Sequence, residues 1–259
     1  MYATNYMETG ILNAFRGITF AAPAQVYAAL FLNNPTETGM AGTELMYEGY
    51  ARQKIDFTTP AEEGNGIGVR NAAEIIFPAP GTDVGTASYI GIYDSAAGGN
   101  MLAYGQITEP LDIRANQPPV LLKQETLFWL EGNFSTAYKT KILNLFRGQN
   151  LEGFTPYFAL FSGSPQAGGG ELYGGSYARV SIPFSTPAEL ASGQMQIENS
   201  ARVAFNRPME NWGSYGCSVI MNAATTGTPV LFQEIMPAQP VKKGYMPIIE
   251  AGAVKVAVN

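Results

Sequence analysis

The chain has 259 residues, room for two domains of roughly 130 residues each. Charged residues make up 14% and hydrophobic ones 46%, a balance that excludes intrinsic disorder. With 15 basic against 21 acidic residues the net charge is -6, which argues against a duplex nucleic-acid binder, since that needs a basic face.

In chain order, Met7, Ile11 and Phe15 come first, spaced by four, and mark one apolar face of a helix of about three turns. Thr4 stands as its N-cap and Arg16-Gly17 as its stop. Residues 26–32 form a continuous apolar run, as in a buried strand. Residues 64–68 look like part of a phosphate loop but lack its Lys-Ser/Thr, so they read as a turn. Residues 87–93 and 101–107 are β-branched and aromatic, and the Gly-rich stretch 94–100 between them predicts a hairpin. Residues 126–130 close this half as a strand.

The order then begins again. Ser135 caps a second helix on Tyr138, Ile142 and Phe146, stopped by Arg147-Gly148. Residues 219–221 and 230–235 flank a turn at Thr226-Gly227, and 254–258 close the chain. The match extends to residues: Ile11-Leu12-Asn13-Ala14-Phe15-Arg16-Gly17 recurs as Ile142-Leu143-Asn144-Leu145-Phe146-Arg147-Gly148, and Phe57-Thr58-Thr59-Pro60-Ala61 as Phe184-Ser185-Thr186-Pro187-Ala188. The offset stays between 127 and 131 throughout. Colinear matches over that length mean tandem duplication of one domain, not a solenoid of short repeats. The expected fold is mainly β: two tandem β-sandwich domains, 1–132 and 133–259, each opened by one short helix, with a short polar hinge at Gly132-Asn133.

Catalytic signatures are sparse. Without His, triads of the Ser-His-Asp and Cys-His kind and His-based zinc sites drop out; with one Cys, Cys217, so do internal disulfides and Cys-rich metal sites. Glu62-Glu63 reads as a solvated turn, and Asp94 lacks the carboxylates of a calcium loop. No catalytic residue, metal site or cofactor is expected. Two ion pairs recur with a spacing of eight: Glu44 with Arg52, and Glu171 with Arg179. Either they grip a ligand, or each anchors its own domain beside a packed Tyr; their presence in both copies favours anchoring. Tyr47, Tyr104, Trp129, Trp212 and Tyr245 lack a full set of aromatic counterparts, so they either fill copy-specific gaps or mark a contact surface. Neither a secretory leader nor an apolar run of membrane-spanning length stands out, so no membrane partner is expected.

The segment Gly91-Ile92-Tyr93-Asp94-Ser95-Ala96-Ala97-Gly98-Gly99-Asn100-Met101-Leu102 resembles part of small bacteriophage virion structural proteins of the tail-fibre-like kind. Ala22-Pro23-Ala24-Gln25-Val26-Tyr27-Ala28-Ala29-Leu30 and Gly174-Gly175-Ser176-Tyr177-Ala178-Arg179-Val180 are similar to further landmarks of that family. The second copy departs from it, with Val219-Ile220-Met221-Asn222 in place of Gly-Ile-Tyr-Asp. The resemblance implies a non-enzymatic particle component, made in the host cytoplasm and built into the virion. The expected function is capsid decoration, cement or head fibre, and the alternative is a tail-fibre or glycan-binding adhesion module. Expected partners are other virion proteins, the major capsid or tail protein, together with further copies of the chain.

Overall fold

The computed structural model describes residues 1–258. The first repeat runs β1 (Tyr2–Ala3), α1 (Asn5–Ala14), β2 (Val26–Phe31), β3 (Gln53–Ile55), β4 (Ala61–Glu63), β5 (Gly66–Arg70), β6 (Ile75–Ile76), β7 (Gly85–Tyr93), β8 (Met101–Ile113), β9 (Val120–Leu121) and β10 (Leu127–Leu130). The second runs α2 (Thr136–Leu143), a 3-10 turn at Asn144–Arg147, β11 (Tyr157–Phe161), β12 (Val180–Ser181), β13 (Ala188–Glu189), β14 (Met195–Glu198), β15 (Val203–Ala204), β16 (Gly213–Met221), β17 (Pro229–Val241), β18 (Ile248–Ile249) and β19 (Lys255–Ala257). Both are mainly β, each opened by one short helix.

Each repeat has a large antiparallel sheet, ordered β1-β8-β7-β2-β3 in the first and β12-β11-β16-β17 in the second. A three-stranded sheet, β10-β5-β4 or β13-β14-β19, supplies apolar residues to the same core. The helices start where the sequence places them: the Thr4 hydroxyl accepts the Met7 N–H and the Ser135 hydroxyl the Tyr138 N–H. Both stop at left-handed glycines, Gly17 at φ 79° and Gly148 at φ 75°, a conformation that a side chain would oppose. The long hairpin strands run well past residues 107 and 235, where the apolar patterns end. Pro110, Pro237 and Pro240 interrupt those patterns, but the strands lie at or next to a sheet edge, where a missing N–H is tolerated.

The repeats do not pack as separate bodies. One cluster of buried side chains runs through both. Phe15, at the end of α1, is fully buried and meets Phe134, Tyr138, Phe154 and Phe184 of the second repeat at ring distances of 5.0 to 6.2 Å. Its counterpart Phe146 meets Phe57 and Phe128 of the first repeat, both at 5.1 Å. Phe57 and Phe184 are themselves counterparts, so the exchange is reciprocal. On the axis between the halves, Phe20 and Leu151 trade backbone hydrogen bonds of 2.9 and 3.0 Å. These two residues occupy equivalent positions, as a two-fold, self-complementary contact requires. Here the chains approach so closely that a Cβ on Gly153 would sit 2.3 Å from the Gly17 carbonyl carbon.

Candidate functional site

The two recurrent ion pairs have one geometry. Arg52 donates from Nε and Nη2 to the two Glu44 oxygens at 2.9 and 2.8 Å. Its Nη1 donates to the carbonyls of Ser95 and Gly98, and its guanidinium lies 3.4 Å above the Tyr93 ring. Tyr50 donates to Glu44 and accepts the Leu30 N–H. Arg179 and Glu171 repeat the fork at 2.8 and 2.7 Å, with Nη1 on the carbonyls of Ala223 and Thr226, and Tyr177 takes the place of Tyr50. Burial pushes both tyrosine hydroxyls well above their usual range. Each arginine thus ties a Glu beside the sheet to the hairpin turn, and its donors are turned inward. Within those turns, the Asp94 carboxylate accepts the backbone and side-chain N–H groups of Asn100.

The singled-out aromatics separate by burial. Tyr104 and Trp212 are buried and offer no ring face to a partner, which corrects them as interface residues. Their rings complete local packing: Trp212 lies 5.2 Å from Tyr177, and Tyr104 5.8 Å from Tyr2. Tyr47 is half-buried and donates to the Pro78 carbonyl. Trp129 is partly exposed, its indole N–H on Glu131. Tyr245 stands 76% exposed.

Tyr245 has company that the sequence pattern does not reveal. Tyr173 and Met209 are 85% and 71% exposed. Three loops carry these residues and are stitched together: Gly175 N–H to Glu210, the Ser176 hydroxyl to the Arg207 carbonyl, Lys243 N–H to Asn211 and Gly244 N–H to the Pro208 carbonyl. Arg207, Lys242 and Lys243 stand exposed on the same loops. The corresponding loops of the first repeat present Met46, Gly81 and Gln117, with Asp83 and Asp112. One loop end is therefore aromatic and basic; the other exposes Met46 and carries Asp83 together with the Asp112–Arg114 ion pair.

A second unforeseen feature lies between the repeats. Glu8 on α1 is almost fully buried and accepts the Met195 N–H of the second repeat at 2.7 Å. Burial raises its pKa to about 7, opposed by that hydrogen bond and helped by nearby Glu37. The matching position on α2 is Lys139, also buried, its pKa lowered by burial. Among the described residues no three His, Cys, Asp or Glu side chains gather as a metal site, and no helix is long and apolar enough to cross a membrane.

None of the curated proteins matches the chain. A protein-family model does, twice in tandem, over residues 2–126 and 133–257. Its two segments repeat the duplication read from the residues and seen in the fold. Nearly the whole chain is covered, and the protein belongs to the family described as Podophage GP4 fiber I protein gp80.

Proposed function

We propose that this chain is a fibre or fibre-attachment component of a phage particle, working by adhesion to neighbouring virion proteins and without catalysis. The observation that carries this reading is the double match to a fibre family. The shared core supports it, because a body already ordered has less freedom to lose on docking. The family description names a fibre and not a shell, so attachment through a fibre is favoured over capsid cement.

The contact surface assigned to this role is the loop end of the second repeat. Exposed Tyr173, Met209 and Tyr245 offer the aromatic and flexible apolar area that anchors interfaces. Arg207, Lys242 and Lys243 beside them suit an acidic neighbour. Copies of the chain would follow the symmetry of the structure they join. Gold-labelled antibody and a mass-spectrometric count on purified particles test the reading. A few copies at the fibre are expected; hundreds over the shell would replace it with cement, and none would end it.

Glycan adhesion is the second reading, favoured by the exposed rings of Tyr173 and Tyr245, since aromatic faces stack on sugars. It requires binding on an array of host polysaccharides that Tyr245→Ala abolishes.

A further inference from the structure

The two repeats share a fold but not a charge. Residues 1–132 carry 6 basic and 14 acidic side chains, a net of -8, while residues 133–259 carry 9 and 7, a net of +2. The overall charge of -6 conceals that split.

The difference reaches the two loop ends. At equivalent positions Glu48 becomes Gly175, Ala79 becomes Arg207, Asp83 becomes Asn211 and Ala115 becomes Lys243. In the first repeat Arg114 is paired with Asp112 at 2.9 Å, which leaves exposed Glu48 and Asp83 in excess. In the second, Glu210 offsets one of the exposed Arg207, Lys242 and Lys243. The first end therefore carries a net charge of -2 and the second +2.

Both ends lie away from the seam between the repeats. The seam is built on the helices, through Phe15 and Phe146. The capping hydroxyls of Thr4 and Ser135 donate to the carbonyls of Met101 and Pro229, so each helix sits beside its hairpin turn, at the Tyr93–Met101 and Met221–Pro229 pairs. The loop ends lie at the other end of the hairpins, by the Gly85–Ile113 and Gly213–Val241 pairs. The length of β7 or β16, about 25 Å, separates the two.

Charge also decides which ends can meet. A contact between two second ends would press Arg207, Lys242 and Lys243 against their own copies, and a contact between two first ends would do the same with Glu48 and Asp83. Like charges placed opposite one another reject both pairings. First against second brings opposite signs together, and sets exposed Met46 against the exposed Tyr173, Met209 and Tyr245.

We propose that the chain joins copies of itself head to tail, the positive loop end of the second repeat docking on the negative loop end of the first repeat of the next copy. Such a contact is heterologous and leaves one end of each kind free, so it repeats, as a row or as a closed ring according to the rotation between neighbours. It rests on the loop end assigned above as the contact surface, and names the neighbour that this surface takes.

Sedimentation velocity on the purified full chain tests it. At low ionic strength the native chain is expected to grow past a dimer as its concentration rises, and to retreat toward the monomer at about 1 M salt, where the Debye length is about 3 Å. Lys242→Glu with Lys243→Glu reverses the second end, and Glu48→Lys with Ala79→Arg reverses the first; all four residues are exposed. Either double variant alone is expected to stay monomeric, its association weakened by at least about tenfold. Mixed in equal amounts, the two are expected to form a dimer and stop there, because each supplies the end that the other lacks. Circular dichroism matching the native chain establishes the fold of each, and single Lys243→Glu or Glu48→Lys replaces a double variant that fails. A native chain still monomeric at about 1 mM, association that survives Lys242→Glu with Lys243→Glu alone, or a mixture that stays monomeric would overturn the proposal. Antibody label at the fibre together with a monomeric chain would end the head-to-tail contact and leave the fibre reading standing. Chains that join head to tail but are absent from particles would do the reverse.

Discussion

Arg52 shows how one side chain fastens a loop. Its guanidinium satisfies Glu44 and two carbonyls of the hairpin turn while resting on Tyr93. Removing it leaves a mostly buried carboxylate and free carbonyls, so Arg52→Ala is expected to destabilise the protein by about 2 kcal/mol in urea unfolding. Arg52→Lys should recover little, because an ammonium lacks the planar fork that spans both carboxylate oxygens. The recurrence of these pairs at a spacing of eight was legible in the sequence. The carbonyls they hold were not, because backbone acceptors leave no mark in residue identity. Glu8 was missed for a related reason: a carboxylate on a helix reads as solvated until its neighbours are known. With its pKa raised from 4.5 to about 7, the folded state holds the proton longer than the unfolded chain does. Its stabilising contribution is complete below pH 4.5 and is lost as the pH rises through 7. Unfolding free energy is therefore expected to fall by on the order of 1–2 kcal/mol between pH 5 and pH 8. The same scan on Glu8→Gln should be flatter by that amount.

At the scale of elements, the helices were readable in position, capping and apolar face, since each depends on residues within a few positions of one another. Their packing partners were not, because a stripe at Met7, Ile11 and Phe15 shows that something covers it without saying what. The structure supplies the other repeat. Phe15→Ala removes a fully buried ring held among four aromatics of the second repeat, and a loss of about 3–5 kcal/mol is expected. That loss should appear in the unfolding of both repeats, although the mutation lies in the first. Trp129 and Trp212, one in each repeat, report on the two halves through fluorescence, and Trp129→Phe isolates the second signal. The long strands were underread for another reason: prolines break an apolar pattern more visibly than they break a strand beside a sheet edge.

For the whole molecule, the shared core sets the cooperative unit. Fluorescence from Trp129 and from Trp212 is expected to follow one denaturation curve with one midpoint, both in the native chain and in Phe15→Ala. Two separated midpoints would mean that residues 1–132 and 133–259 fold independently. The duplication, the β character and the family resemblance were legible at this scale because they rest on many residues in order. The reciprocal exchange of aromatics was not, since a short linker is equally compatible with beads on a string. That exchange has an evolutionary corollary. In an assembly of two identical chains every mutation strikes both partners at once, so neither half can change alone. Joining the partners covalently lifts that constraint. Glu8 where its twin position holds Lys139, and Gly132 where its twin position holds Met1, are substitutions that symmetry would have forbidden: one half can stay a scaffold while the other drifts toward a new contact.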